Sequence, residues 1–252
     1  MRGLEVDFIR TQVEGAGAAG VVVGLSGGVD SAVVAALAVR ALGAPRVFGL
    51  LLPVSFTPAE DNDDARRLAE QLGIAHATVP IQTVTESLFT ALRCDPDAAG
   101  ERTAAANIRS RIRMVALYYV ANTKNYLVAG TGDKSEELIG FFTKHGDGGV
   151  DFQPIAHLYK TQVRALAREL GIPEAIAGKP ASPQLYPGHL ATDEIPLEYE
   201  QMDPVLMKLV DEGKSAEEAA QACGVPIETV REIERRIAAT AHKRRTPPDL
   251  VT

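Results

Sequence analysis

The junction at residues 20–31 restricts this chain's fold more than any other segment. An apolar run, Val21-Val22-Val23-Gly24-Leu25, ends in Ser26-Gly27-Gly28 and opens into an Ala/Val-rich stretch that begins at Asp30. Such a run, bounded by small residues, reads as a strand buried on both faces, and the stretch after it as a helix. The pattern recurs along the chain. Strands are expected at 21–25, 47–52, 75–80 and 126–129, and helices at 30–42, 61–72, 84–92 and 104–121. An opening helix gathers Leu4, Phe8, Ile9 and Val13 on one face. Apolar strands separated by helices imply parallel pairing through helical crossovers, so the expected class is α/β, a doubly wound parallel sheet flanked by helices. After Gly130 the texture changes to a glycine loop at 146–149, a helix at 160–170, a Pro-rich stretch at 180–196 and three helical segments up to Arg245. One domain is expected, with a core at about 20–170, a lid loop at about 180–196 and a helical C-terminal extension at about 198–245.

Composition narrows the function. The 26 Lys+Arg against 33 Asp+Glu give a net charge of −7, which disfavours a broad nucleic-acid surface but leaves room for a small anion held by a few local cations. No apolar window approaches the length of a membrane span, and Glu5 and Asp7 stand where an export signal needs apolar residues, so a cytoplasmic protein is expected. The two cysteines, Cys94 and Cys223, fall in no metal-binding pattern and read as small buried hydrophobes.

Several motifs are decoys. Gly15-Ala16-Gly17-Ala18-Ala19-Gly20 matches a dinucleotide fingerprint, but it precedes a strand instead of following one. Gly24-Leu25-Ser26-Gly27-Gly28 fits the nucleophile elbow of serine hydrolases, yet the short segment before it cannot easily supply the oxyanion strand. Gly213-Lys214-Ser215 lacks the earlier glycine of a phosphate loop. Residues 215–236 imitate a helix-turn-helix, but Glu217, Glu218, Glu228, Glu232 and Glu234 would repel a phosphate backbone, so a packed helical pair is expected there.

The better reading takes Gly24, Leu25, Ser26, Gly27, Gly28, Val29, Asp30 and Ser31 together. Two glycines let backbone approach a phosphate, free N–H groups at the helix start point toward it, and Ser26 and Ser31 add neutral donors. Asp30 would repel that phosphate unless a cation lies between them, and an oxygen-seeking Mg²⁺ suits the place.

SGGVDS resembles the pyrophosphate loop of the ATP pyrophosphatases, which split ATP into AMP and pyrophosphate. The second half of the chain is similar to the bacterial ammonia-dependent NAD synthetases. The similarity lies in Gly130-Thr131-Gly132-Asp133-Lys134-Ser135-Glu136-Glu137-Leu138, in residues 140–151, and in Pro154, Leu158-Tyr159-Lys160, residues 179–182, Asp193-Glu194, Tyr199 and His242-Lys243-Arg244. It departs at Gln184, where relatives usually carry Asp, and at Asp133, where Asn is common.

The resemblance implies a ligase that makes NAD⁺ from deamido-NAD⁺, ATP and ammonia with Mg²⁺. It implies ATP contacts from the 24–31 loop, Thr131, Lys160 and Ser182. Asp30 and Glu136 become Mg²⁺ ligands, and with Lys160 the catalytic set. Deamido-NAD⁺ contacts fall on Arg111, Lys144, Asp147, Asp151, His242 and Lys243. It further implies a homodimer, with neither a nucleic acid nor a membrane as partner. The alternatives are another adenylating pyrophosphatase, such as a GMP-synthetase-like or tRNA-modifying enzyme, or a helix-turn-helix DNA-binding protein.

Two expectations concern side-chain direction. In the long helix near 104–121, Ile108, Ile112, Val115 and Tyr119 are expected to form the core stripe. Arg111 is expected on a half-apolar face near a buried anion, and Arg109 and Arg113 in solvent. Lys160 opens a helix whose dipole disfavours a cation there, so something anionic should offset it.

Overall fold

The computed structural model describes residues 3–98, 100–186 and 188–248. The chain runs α1 (Leu4–Gly15), β1 (Gly20–Gly24), α2 (Val29–Leu42), β2 (Val47–Leu51), α3 (Ala59–Leu72), β3 (Ala75–Thr78), α4 (Gln82–Leu92), α5 (Arg102–Lys124) and β4 (Tyr126–Val128). Then follow α6 (Lys134–Ile139), α7 (Lys160–Leu170), α8 (Glu174–Ala177), α9 (Tyr199–Leu206), α10 (Ala216–Cys223) and α11 (Ile227–Ala239). The strands form one parallel sheet in the order β3-β2-β1-β4, with Val21 beside Val47 on one side and Leu127 on the other. The expected doubly wound α/β class is the fold observed. Chain direction across the sheet reverses at β1, because β2 and β3 lie on one side of it and β4 on the other. A crevice therefore opens beyond the C-terminal ends of β1 and β4, the usual ligand position in such sheets.

Period-2 alternation sorts the strand residues onto two faces. Val21, Val23, Val47 and Leu51 pack with Ile9, Val13 and the buried residues of α2, α3 and α7. Val22, Leu50 and Val128 pack on the other face with Ala121 of α5. Helix α2 is apolar nearly all round and buried along most of its length, as a central helix must be. A separate cluster joins Ile139 and Tyr159 to Met202, Val205 and Leu206 of α9 and to Ala219, Val230 and Ile233 of α10 and α11. The segment that imitates a helix-turn-helix is thus a pair whose apolar face lies in a core. Cys94 and Cys223 are half-buried free thiols, more exposed than expected.

Helix α5 corrects one expectation in part. Its buried residues are Ala105, Ala106, Arg109, Ser110 and Ala121. Of the expected core stripe, Ile108 and Ile112 are half-buried, and Val115 and Tyr119 are 61% and 71% exposed. Ile112 packs with Ala116, Leu117, Tyr118 and Val120 against the sheet-face core, and it is Val115 and Tyr119 that face outward. Arg111 is exposed on that outer side, whereas Arg109 is buried and Arg113 half-buried.

Candidate active site

β1 ends at Gly24, and the chain turns sharply through Gly27, whose φ of +80° few other residues adopt. Gly28, in extended backbone, begins α2. The turn is stitched internally: Gly28 N–H donates to Ser26 Oγ at 3.2 Å, and Ser31 Oγ donates to the Gly28 carbonyl at 3.0 Å. Ser26 stays exposed. The first turn of α2 thus faces the crevice with free N–H groups and the Ser26 hydroxyl, while the buried Ser31 hydroxyl braces the turn, a preformed anion cradle.

Beside the cradle lies an acidic cluster. The ammonium of Lys160, the first residue of α7, is 1% exposed and lies 2.8 Å from Asp30 Oδ2, 2.9 Å from Asp133 Oδ2 and 2.7 Å from Glu136 Oε1. Asp133 also caps α6, accepting the Glu136 N–H on Oδ1 at 2.9 Å. Burial pushes Asp133 up to about 6 and Glu136 well above the carboxylate range, with Lys160 opposing both shifts. Burial works against the Lys160 ammonium, but Asp133, Asp30 and Glu136 outweigh it and raise its pKa. The anion expected to offset this cation is therefore supplied by the chain itself. A further carboxylate holds the helix start: Asp203 Oδ2 accepts from Thr161 N at 2.8 Å, and its Oδ1 takes the Ser135 hydroxyl at 2.6 Å. That hydroxyl in turn accepts the Lys160 N–H at 2.9 Å.

Fully ionised, three carboxylates around one ammonium would carry two net negative charges, which is the excess that raises the proton affinity of Asp133 and Glu136, and Asp30 Oδ1 is buried with no hydrogen-bond partner. An orphaned hard oxygen in an over-charged acidic pocket fits a hard divalent cation such as Mg²⁺. Among the described residues no three His, Cys, Asp or Glu side chains form a ready metal cage, as suits an ion completed by phosphate and water.

Two chambers meet beside Ser182, Pro183 and Gln184. One, about 520 Å³, is lined by Leu25, Leu52, Leu117, Arg113, Thr131 and Asp147 among others. The other, about 710 Å³, holds Asp30, Glu136, Lys160, Arg164, Lys179 and Gly28. Ser26, Ser182 and Gln184 border both.

An anion cradle, an acidic cluster drawn from α2, the turn before α6, α6 and α7, and a divided cavity at a sheet switch point are features that suit a nucleotide. A sequence model of the family described as NAD synthase matches residues 3–247. The chain belongs to that family. The NH(3)-dependent NAD(+) synthetase of Hyperthermus butylicus is 52% identical over 243 residues, covering 96% of this chain and 87% of that one. Among solved structures, NMN synthetase from Francisella tularensis superposes with a TM-score of 0.86 at 31% identity, covering 100% of this chain and 97% of that one. NH3-dependent NAD synthetase from Campylobacter jejuni, in complex with nitrate, gives 0.82 at 30%, covering 99% and 96%.

The NAD synthase resemblance named residues in two groups, and the fold treats them differently. Gly24, Leu25, Ser26, Gly28, Val29 and Asp30 of the loop, with Thr131, Glu136, Lys160 and Ser182, line the chambers or their border, while Gly27 and Ser31 line neither. Of the other group, only Asp147 and Lys243 line a chamber. Asp147 accepts from Ser110 Oγ at 2.7 Å and Thr143 N at 2.9 Å, where Gly146 comes so close to Ser110 that a Cβ would collide with its hydroxyl. The Lys243 ammonium is bonded to the carbonyls of Gly140 and Phe142 at 2.8 and 2.9 Å. Arg111, Lys144 and His242 gather at the outer rim, Arg111 donating to the Lys144 carbonyl at 3.3 Å and Lys144 to the His242 carbonyl at 3.1 Å. Asp151 spends one oxygen on Val128 N at 2.7 Å and the other on Tyr118 OH at 3.1 Å.

Sequence reasoning missed Asp133, Asp203 and Arg113 as site residues. Asp133 had a findable signal, since an Asp three residues before a Glu at a helix start is a capping pattern. Arg113 donates to the Leu52 carbonyl at 3.2 Å, and burial lowers its guanidinium pKa to about 10 against the pull of Asp147.

Proposed function

We propose that this chain amidates deamido-NAD⁺ with ammonia at the expense of ATP, yielding NAD⁺, AMP and pyrophosphate. The observation that carries the reading is the Lys160 cluster beside the phosphate cradle in a chain of the NAD synthase family. The apolar chamber suits adenosine, and the charged chamber suits the pyrophosphate. In the first step the nicotinate carboxylate attacks the α-phosphorus and pyrophosphate leaves. In the second, ammonia attacks the adenylated carbonyl and AMP leaves.

The chain's own groups bind, orient and neutralise. Free N–H groups of the 26–31 loop and the Ser26 hydroxyl hold the leaving phosphates, and Lys160 meets the charge that develops on them. Ser26 binds and does not attack, because its Oγ lies against the Ser31 hydroxyl and the Gly28 N–H, neither of which is a base. Asp30 and Glu136 would hold Mg²⁺, which supplies further neutralisation of phosphate charge when bound. Thr131 lines the apolar chamber and Ser182 the border between the two, and Arg111, Lys144, Asp147, Asp151, His242 and Lys243 serve deamido-NAD⁺.

The reading extends to a homodimer in the cytoplasm. The outward stripe of α5, with Val115 and Tyr119, and exposed Val84, Leu88 and Leu92 on α4 form an apolar surface that a second copy would cover. Sedimentation of the chain should give a dimer, and Val115→Glu with Tyr119→Glu should give monomers. Among the described residues no helix is long and apolar enough to cross a membrane.

A coupled assay for AMP and NAD⁺ tests the function. Ammonium should support turnover and glutamine should not, and absence of NAD⁺ with ammonium overturns the reading. The Francisella structure's name favours one second reading, amidation of the corresponding mononucleotide. The same assay, run with nicotinate mononucleotide, separates the two by their kcat/KM.

A further inference from the structure

Asp61 stands in the first turn of α3 and is 7% exposed. Its main chain is packed against the phosphate loop: the left-handed turn at Gly27 brings that residue so close that any Cβ there would strike the Asp61 carbonyl. Its side chain reaches the other way. Oδ1 takes the Lys179 ammonium at 2.6 Å, and Oδ2 accepts from Gln184 Nε2 at 2.5 Å. Lys179 and Gln184 bracket Ser182, the residue at the border of the two chambers.

Other contacts hold the same stretch. Asp64, one turn along α3, takes Lys179 at 2.6 Å and Arg67 at 3.0 Å. Arg109 donates to the Leu185 carbonyl at 2.7 Å, with its guanidinium 5.2 and 5.0 Å from the ring centres of Phe56 and Phe89. Gln184 itself has φ of +48°, a conformation costly for a side-chain-bearing residue and kept only when its surroundings over-determine it.

We infer that Asp61 is a positioning residue that fixes the spacing between the phosphate loop and Ser182, and that this requires a neutral hydrogen-bond donor at position 184. Asp61 and Asp64 already balance Lys179 and Arg67, so a carboxylate at 184 adds an uncompensated charge facing Asp61. The inference rests on the proposed adenylating function, because Ser182 and the loop matter together only if both meet ATP. The contact itself is independent of that reading.

The test reverses the polarity of one hydrogen bond. Gln184→Glu keeps the side-chain shape but turns the donor into an acceptor. It should raise KM for ATP at least 10-fold, leave KM for deamido-NAD⁺ within about 2-fold, and speed amide hydrogen exchange across 180–186 and 188–196 in the ligand-free protein. Adding Asp61→Asn lets an amide donate to the new carboxylate, and the double variant should recover to within about 3-fold on both readouts. Thermal melting of both variants controls for folding. If Gln184→Glu leaves exchange and KM for ATP unchanged, or if the double variant is no better than the single one, the inference is wrong. Failure of the function reading looks different: the parent makes no NAD⁺, while exchange in the ligand-free variants still reports on the contact.

Discussion

Lys160 and Lys179 are both gripped by carboxylates, yet the two clusters are built for different ends. Lys160 faces Asp30, Asp133 and Glu136, drawn from α2, the turn after β4 and α6, and no second cation is near enough to pair with them among the described residues. Lys179 faces Asp61 and Asp64, both on α3, and Arg67 takes the other oxygen of Asp64. Two cations meet two anions there. A balanced cluster at the edge of a loop is a tether, whereas an unbalanced one buried at a sheet switch point holds charge that a ligand can neutralise. The difference teaches that the count of charges, more than their burial, separates a site from a strut.

The comparison can be broken most forcefully at the two lysines. Lys160→Met should lower turnover by about 10²–10³-fold, the scale of losing a donor aimed at developing charge. Lys179→Met should cost about 10-fold or less, since Gln184 and Arg109 still hold the segment. Equal losses in a steady-state assay would erase the distinction.

Next come the proposed metal ligands. Asp30→Asn and Glu136→Gln should each cut turnover by about 10²-fold or more while leaving the circular dichroism spectrum and melting curve close to the parent's. Near-normal adenylation by either folded variant would remove that residue from the metal site.

Stability sharpens the contrast with opposite signs. Burial holds the Asp133 carboxyl at about 6 in the folded chain, above its unfolded value of 3.8, so folding favours its protonated form. Stability is then present at low pH and lost as pH rises through about 6. Asp133→Asn escapes that loss. In metal-free protein at pH 8 it should gain about 1–3 kcal/mol, since a tenfold change in proton affinity is worth ~1.4 kcal/mol, and the gain should shrink as pH falls through about 6 and vanish only below the unfolded value of 3.8. Asp64→Asn should do the reverse and destabilise by about 1 kcal/mol, because it removes one anion from a balanced set. Denaturant melts across that pH range read both effects, and a destabilised Asp133→Asn at pH 8 would refute the charge count.

Much of the sheet could be read directly from the chain, because runs such as Val21-Val22-Val23 and the Ala/Val helix after them are local patterns with local causes. Strand ends moved by only a residue or two. Helix α5 shows the limit. Its period was legible, but of the stripe of Ile108, Ile112, Val115 and Tyr119 only Ile112 packs on the core and Val115 and Tyr119 face outward, while Ala105, Ala106 and Arg109 face in. Helical periodicity reports that a face is apolar, and it is silent on whether the chain's own sheet or another surface covers that face. Arg109 is buried because two aromatic rings and the Leu185 carbonyl surround it, and all three lie far from it in sequence.

The amino-acid order alone determined the glycine turn after β1, the strands that aim it and the identity of the residues proposed to meet ATP, since turn chemistry and hydrophobic period act over a few residues. Only the tertiary structure decided which charges meet. Asp30 and Lys160 are 130 positions apart and Gln184 and Asp61 are 123 apart, and each pair touches only because β1, α3, α7 and the segment after α8 converge at one end of the sheet. Coulomb energy depends on distance and burial, and neither exists for an unfolded chain.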